Sequence, residues 1–229
     1  MIAALFVANP GCYIGLPDVD PWDKDRDARK YAGPWPVVAH PPCERWGRYW
    51  GGGPSARERR KLGDDDGCFA SALASVRRWG GVLEHPEGSH AFAHHGLSRP
   101  NWRQGWEPNI WDATGIGRLG HKTANEYVCC VAQGHYGHRA RKLTWLFVAG
   151  VPSYLLPPLN WLIPVPRSRL DYGFHSAEER AARKGDVAPR VNASRLTAAE
   201  NLATPLPFRD VLLSIARASI PTHNARAAH

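Results

Sequence analysis

Cys43 closes the run His40-Pro41-Pro42-Cys43, directly after the apolar stretch Val37-Val38-Ala39. A cysteine on a Pro-Pro corner just past a strand is held on a stiff backbone. That placement suits a nucleophile, since the thiolate is the reactive form and a nearby cation such as Arg45 favours it. The alternative for Cys43 is a buried structural thiol. Glu84 holds the matching place further along, where Val82-Leu83 runs into Glu84-His85-Pro86. If the two stretches are neighbouring parallel strands, thiol and carboxyl stand over one crevice, at the edge where open α/β sheets bind ligands. This pair suits chemistry on a pyrimidine. The thiolate adds to C6, the carboxyl hydrogen-bonds or protonates the ring edge, and C5 becomes carbanion-like. The plainer role for Glu84 is a helix cap or a solvated side chain.

The elements that would position this pair are legible between residues 37 and 86. Phe69, Leu73, Val76 and Trp79 mark one face of a helix over 68–79. Aspartates precede it, Arg77-Arg78 fall in its last turn and Gly80-Gly81 stop it. The segment therefore reads strand, exposed loop (47–66), helix, strand, a βαβ unit for which parallel pairing is expected. Residues 2–8 predict another strand and 23–31 a short charged helix. Residues 88–125, rich in Gly, His and Trp, read as a lid or substrate-reading insert. Tyr127–Val131 and Leu143–Val148 are two more strands, and 151–168 is a proline-rich connector. Residues 175–203 are charged and Ala-rich. Residues 208–217 predict a docking helix with Phe208, Val211, Leu212 and Ile215 on one face.

The 229 residues carry 29 Lys and Arg against 21 Asp and Glu, a formal net charge of +8. Such a balance favours a polyanionic partner, nucleic acid or a nucleotide. No run approaches the roughly 20 apolar residues of a membrane span. The first eight residues lack the basic start of a signal peptide, so a cytoplasmic location is expected. Five cysteines without regular spacing argue against a secreted disulfide framework. Of the ten tryptophans, Trp79 and Trp145 read as core. Trp46, Trp50, Trp102 and Trp106 lie in loops near basic residues, with a core and a base-stacking reading both open. His40, Cys43, His135 and His138, with His85 or Cys129, have spacings compatible with a zinc site. No CxxC or HExxH pattern supports one, and no metal is assigned.

At this point the residues resemble a family. Pro42-Cys43 is similar to the Pro-Cys nucleophile motif of DNA cytosine-5 methyltransferases. Glu84-His85-Pro86 resembles their Glu-Asn-Val motif, and more closely the Glu-Asn-Pro form of small phage-encoded relatives. Arg139-Ala140-Arg141, ahead of a strand to Gly150, resembles the Gln-x-Arg-x-Arg motif that helps place the target base. The motifs fall in the family's order over about residues 35–150. The resemblance implies an α/β fold with a mostly parallel sheet, a reduced Rossmann-like methyltransferase domain over 1–165, followed by a C-terminal extension over 166–229. It implies a transferase acting at pyrimidine C5 in DNA or a nucleotide, with Cys43 and Glu84 catalytic. Arg139, Arg141, Arg45, Trp46 and His85 would contact the substrate. His85 stands where the family has Asn, and Gly137-His138 where it has Pro-Gln. The family's donor is S-adenosylmethionine, cradled by a Phe-x-Gly-x-Gly turn after the first strand. Here that strand runs into Asn9-Pro10-Gly11-Cys12-Tyr13-Ile14-Gly15, with different spacing. The donor is therefore left open, with Asp20 and Asp23 as the candidates for a ribose contact. A DNA-binding relative without catalysis, and a C5 transferase with another donor, are the competing readings.

Overall fold

The computed structural model describes residues 1–52, 60–111, 121–159 and 196–220. Its strands are β1 (Ile2–Leu5), β2 (Val19–Trp22), β3 (Val37–Ala39), β4 (Gly81–Pro86), β5 (Glu107–Trp111), β6 (His121–Ala132) and β7 (Leu143–Ala149). They form one seven-stranded sheet in the order β2-β1-β3-β4-β7-β6-β5. The helices are α1 (Cys68–Trp79), α2 (His90–His94), α3 (Ala198–Leu202) and α4 (Leu206–Arg217).

The α/β class is as expected, but the sheet is mixed, not mostly parallel. β1 pairs in parallel with β2 and β3, and β3 with β4. The longer ladders β4–β7, β6–β7 and β5–β6 are antiparallel. The reason is connection length. Residues 133–142 hold only one 3-10 turn, Gln133–Tyr136, so β6 and β7 join without the crossover helix that parallel strands need.

α1 covers one face of the sheet, where Phe69, Leu73 and Val76 pack with Val37, Leu83 and Phe147. Asp65 caps it, its carboxylate accepting from the backbone N–H groups of Gly67 and Phe69 at 3.1 and 2.9 Å. α4 covers the other face, where Phe208, Leu212 and Ile215 pack with Ala4, Val38 and Val82. The C-terminal part is thus a layer of the same core, and Ile220 N–H donates to Gly150 C=O at 2.7 Å. Gly81 has φ +123, and a Cβ there would lie 1.9 Å from the Val37 carbonyl oxygen. Only glycine lets β3 and β4 approach in this register.

Three local expectations shift. β1 ends at Leu5 because Phe6 adopts φ 59. The stretch Val19–Trp22 is a strand, and 23–31 yields only a 3-10 turn, Ala28–Lys30. The insert over 88–125 contributes α2 and β5, with 112–120 outside the described residues, as are 160–195 of the connector and extension. Both edge strands contain proline, Pro21 in β2 and Pro108 in β5. No helix of the described residues is long and apolar enough to cross a membrane.

Candidate active site

The chain reverses its course across the sheet between β1 and β3. β2 lies on one side of β1, and the rest of the sheet continues on the other. Open α/β sheets bind ligands at the carboxyl edge beside such a reversal. The residues following β1, β3 and β4 all emerge there.

Strand alternation decides which side chains meet. In β3 and β4, Val38 and Val82 face α4, whereas Val37 and Leu83 face α1. His40 and Glu84 continue the α4-facing series, and Ala39 pairs with Leu83 one step earlier. His40 Nδ1 lies 3.0 Å from Glu84 Oε2, with only 14% and 13% of the two side chains exposed. Tyr13, in the loop after β1, places its hydroxyl 2.8 Å from His40 Nε2. From β6 and β7, Gln133 Nε2 donates to Glu84 Oε1 at 3.1 Å and to Thr144 Oγ1 at 2.9 Å. A carboxylate accepts only, so His40 Nδ1 donates to Glu84, and the Tyr13 hydroxyl is the hydrogen-bond partner of Nε2. Burial pushes the Glu84 carboxyl up, but the His40 hydrogen bond, with the charges of His40 and Lys142, outweighs it and holds the group below its usual range. Burial drives the Tyr13 hydroxyl well above its usual range. Tyr13 is therefore a poor acid, and it anchors the far side of the His40 ring.

Cys43 is half-buried at the start of a tight turn, its carbonyl accepting from Trp46 N–H at 3.0 Å and Gly47 N–H at 2.8 Å. Its thiol is pushed up by burial first, then by the Glu84 charge. Its own backbone and Lys142 act in the opposite sense. Cys43 and Glu84 follow adjacent parallel strands, and the Glu84 charge disfavours the Cys43 thiolate.

The other expected site residues scatter. Trp46 is core, 3% exposed, and its Nε1–H donates to the Asp65 cap at 2.8 Å. It locks the Cys43 turn to α1 and offers no stacking face. His85 points to the α1 face, fully buried, with its ring edge-on to Phe69 at 5.1 Å between centroids. Burial lowers it to about 4, so it is a neutral core group that does not reach the crevice. Arg45 is half-buried with one guanidinium nitrogen enclosed and unpartnered. Arg139 pairs with Glu200. Arg141 lies over the Trp102 ring, 4.8 Å from its centroid. Of the remaining loop tryptophans, Trp106 Nε1–H donates to Pro157 C=O at 2.9 Å.

The loop after β1 does not match a donor cradle of the glycine-rich type. Between β1 and β2 the chain makes turns and no helix. A Cβ on Gly11 would meet the Ala8 carbonyl oxygen at 2.3 Å, so this glycine serves the loop's own packing. Asp20 is engaged by Arg26 at 2.5 Å and Trp22 Nε1 at 2.8 Å. Asp23 accepts from Asn9 and from the backbone of Asp25 and Arg26 at 3.1 Å each. These residues do not fit S-adenosylmethionine as the resemblance would place it, and no step is derived through it. Among the described residues no group of three or more His, Cys, Asp or Glu side chains is arranged to hold a metal. His138 instead bridges backbone groups, its ring nitrogens lying 3.0 Å from Ala140 N and 2.9 Å from the Glu200 carbonyl oxygen.

Sequence reasoning missed Tyr13 and Gln133, and it weighed His40 as a metal ligand and not as the partner of Glu84. The signal for His40 was available, since it lies two residues beyond Val38 as Glu84 lies two beyond Val82. No family model, curated protein or solved structure matches the chain.

Proposed function

We propose that the protein is a transferase acting on a pyrimidine base, in which Cys43 adds to C6 and so activates C5 for substitution. The observation that carries this reading is that Cys43 and a buried, doubly hydrogen-bonded Glu84 follow adjacent parallel strands at the same edge of the sheet. In the proposed step the sulfur forms a bond to C6. The C5=C6 electron pair moves onto the ring, and the N3–C4 edge takes up one proton. That proton is the one the Cys43 thiol gives up as sulfur adds, and Glu84 is the group suited to relay it, its carboxyl held by His40 Nδ1 and Gln133 Nε2. C5 is then nucleophilic and bonds to an electrophile, a solvent deuteron in the exchange test below or the group carried by an electrophilic donor. C5 next loses its own hydrogen as a proton, the C6–S bond breaks with the pair leaving on sulfur, and the C5=C6 bond is restored. The net charge of +8 favours DNA as the carrier of the base. In a duplex that base must be flipped out of the stack.

The test needs no donor. Reversible addition at C6 exchanges the C5 hydrogen with solvent. Single-stranded DNA, dCMP and dUMP are incubated with the protein in D2O, and their nucleosides are weighed by mass spectrometry. Deuterium at C5 with the wild type, absent with Cys43→Ser and Glu84→Gln, supports the reading. No exchange on any of the three substrates, with folded protein, refutes it and favours a binding protein without catalysis.

A further inference from the structure

We propose that Arg103 and Arg141, both stacked on Trp102, form a phosphate-binding clamp for a single strand of DNA. The inference does not rest on the reading of Cys43 as the nucleophile. The strand registers give the clamp its place in the fold. Trp102 makes an isolated parallel bridge to Cys130, two residues before the end of β6. Just past that end, Gly134 N–H donates to the carbonyl of Arg141, which lies two residues before β7, at 3.2 Å. Val131 of β6 pairs with Thr144 of β7, and Thr144 pairs in turn with Pro86, the last residue of β4. The stack therefore stands at the edge of the sheet where β4 ends. Trp102 packs there against the core cluster that α1 covers, so the stack lies beside the His40–Glu84 network and not within it.

Arg103 Cζ lies 4.5 Å and Arg141 Cζ 4.8 Å from the centroid of the Trp102 ring. The two cations are thus within about 10 Å of each other, the screening length at 0.1 M salt, and they repel. Arg103 also has φ 73, in the left-handed region that side chains other than glycine rarely adopt. Strain of this kind gathers at ligand sites, where the surrounding structure holds it. Arg26, Arg29, Arg48, Arg77, Arg139 and Arg217 each face a carboxylate. Exposed Arg103 has no carboxylate in ion-pair reach among the described residues, and an aromatic ring holds it instead. Stacking engages the face of a guanidinium and leaves its N–H edge for a bidentate partner. A phosphodiester offers that edge two acceptor oxygens and a negative charge that relieves the repulsion. The net charge of +8 favours a polyanionic strand over an isolated phosphate.

The test is binding of a fluorescently labelled single-stranded DNA oligonucleotide to the full chain, read by anisotropy across a salt series. Arg103→Gly is the decisive variant, because glycine adopts φ 73 without strain and the fold is not at risk. Its melting temperature should match or exceed that of the wild type. Its affinity should fall about tenfold, and the log–log salt slope should lose about 0.7. Arg103→Lys keeps the charge without the planar stack, so it should restore the slope but not the affinity. Arg78 stacks on Trp79 at 4.8 Å, at the end of α1 that leads into the start of β4 and so at the opposite edge. Arg78→Gln should therefore leave binding unchanged. Wild-type affinity and slope in Arg103→Gly overturn the clamp, as does the absence of binding by the wild type at low salt. An equal loss in Arg78→Gln also overturns it, by reducing the effect to net charge. Displacement of the oligonucleotide by dCMP at equal phosphate concentration overturns the assignment to a strand. Binding needs no C5 exchange, so a clamp found in a protein that exchanges nothing would remove the pyrimidine reading alone.

Discussion

Replacing Glu84 by Gln and by Leu separates the two things this side chain does. Glu84 receives one hydrogen bond on each oxygen, from His40 and Gln133. In Glu84→Gln the amide oxygen still accepts from Gln133. Its N–H donates to His40 Nδ1 if the imidazole moves its proton to Nε2, which then donates to the Tyr13 oxygen. Every polar group keeps a partner, and two charge-assisted bonds become neutral ones. The expected cost is about 1 kcal/mol, because charged bonds exceed neutral ones by roughly that much and the burial of a charge is relieved. Glu84→Leu strands the His40 donor and weakens the hold on Gln133, at about 1–3 kcal/mol per unsatisfied group. Its expected cost is about 3 kcal/mol, a melting-point drop near 6–12 °C for a chain of this size. Both variants should lose C5 exchange, since neither side chain passes a proton. Glu84 is held below its ordinary range in the fold, so its charge stabilises above that range and the benefit is lost as pH falls through the folded value. The gap between wild type and Glu84→Gln should therefore be present at neutral pH and close below about pH 4. Urea unfolding at two pH values measures both. A Gln variant as unstable as the Leu variant would refute the mobile His40 proton. A Leu variant within 0.5 kcal/mol of wild type, on the roughly 1–3 kcal/mol scale of an unsatisfied group, would refute the network itself.

Three further outcomes are expected. His85 is held neutral down to about pH 4 while the unfolded chain protonates it below about pH 6.5, so stability should fall as pH drops between those values, by up to about 1.4 kcal/mol per unit. His85→Leu should flatten that stretch of the pH–stability curve, and an unchanged slope would show that His85 is hydrated. Gly81→Ala should cost at least about 3 kcal/mol, from overpacking against Val37 and a disfavoured φ, and should abolish Cys43 chemistry by separating β3 from β4. Near-native melting of that variant would refute the close approach. Trp46→Phe should cost about 1–2 kcal/mol through the lost Asp65 bond and leave the affinity for single-stranded DNA at fixed salt unchanged. A tenfold loss of affinity with little loss of stability would restore a stacking role.

The βαβ core was legible because glycine, proline and charge mark its joints. Gly80-Gly81 end α1, Pro41-Pro42 end β3, and Pro86 ends β4. The parallel pairing of β3 with β4, which brings the residues after each strand to one edge, followed from the helix between them. The antiparallel half was less legible, since strand direction depends on whether a helix fits between 133 and 142. β2 was hidden by Asp18, Asp20 and Pro21, residues poor in strands, which an edge position tolerates. Trp46 and His85 were misplaced for a different reason. Proximity in sequence to Cys43 and Glu84 suggested proximity in space, yet adjacent strand residues face opposite ways, and a turn can return a tryptophan to the core. Arg139 and Arg141 were misplaced because their partners, Glu200 and Trp102, lie far from them in sequence.

The prolines of the outer strands bear on how this molecule meets others of its kind. Ile2 N–H and Val7 N–H donate to the carbonyls of Asp18 and Trp22, so the even-numbered residues of β2 face inward and Pro21 faces out. The rim of the sheet there lacks the N–H that a docking strand would need. At the opposite rim, β5 shifts register between Pro108 and Ile110, and Ser98 takes both backbone groups of Ile110 through its hydroxyl. A stray extended chain therefore finds no continuous ladder to join on either side. Strand-by-strand growth into dimers or fibrils is blocked at both rims. Among the described residues, the sheet thus offers another chain its loops and helices and not an open strand edge.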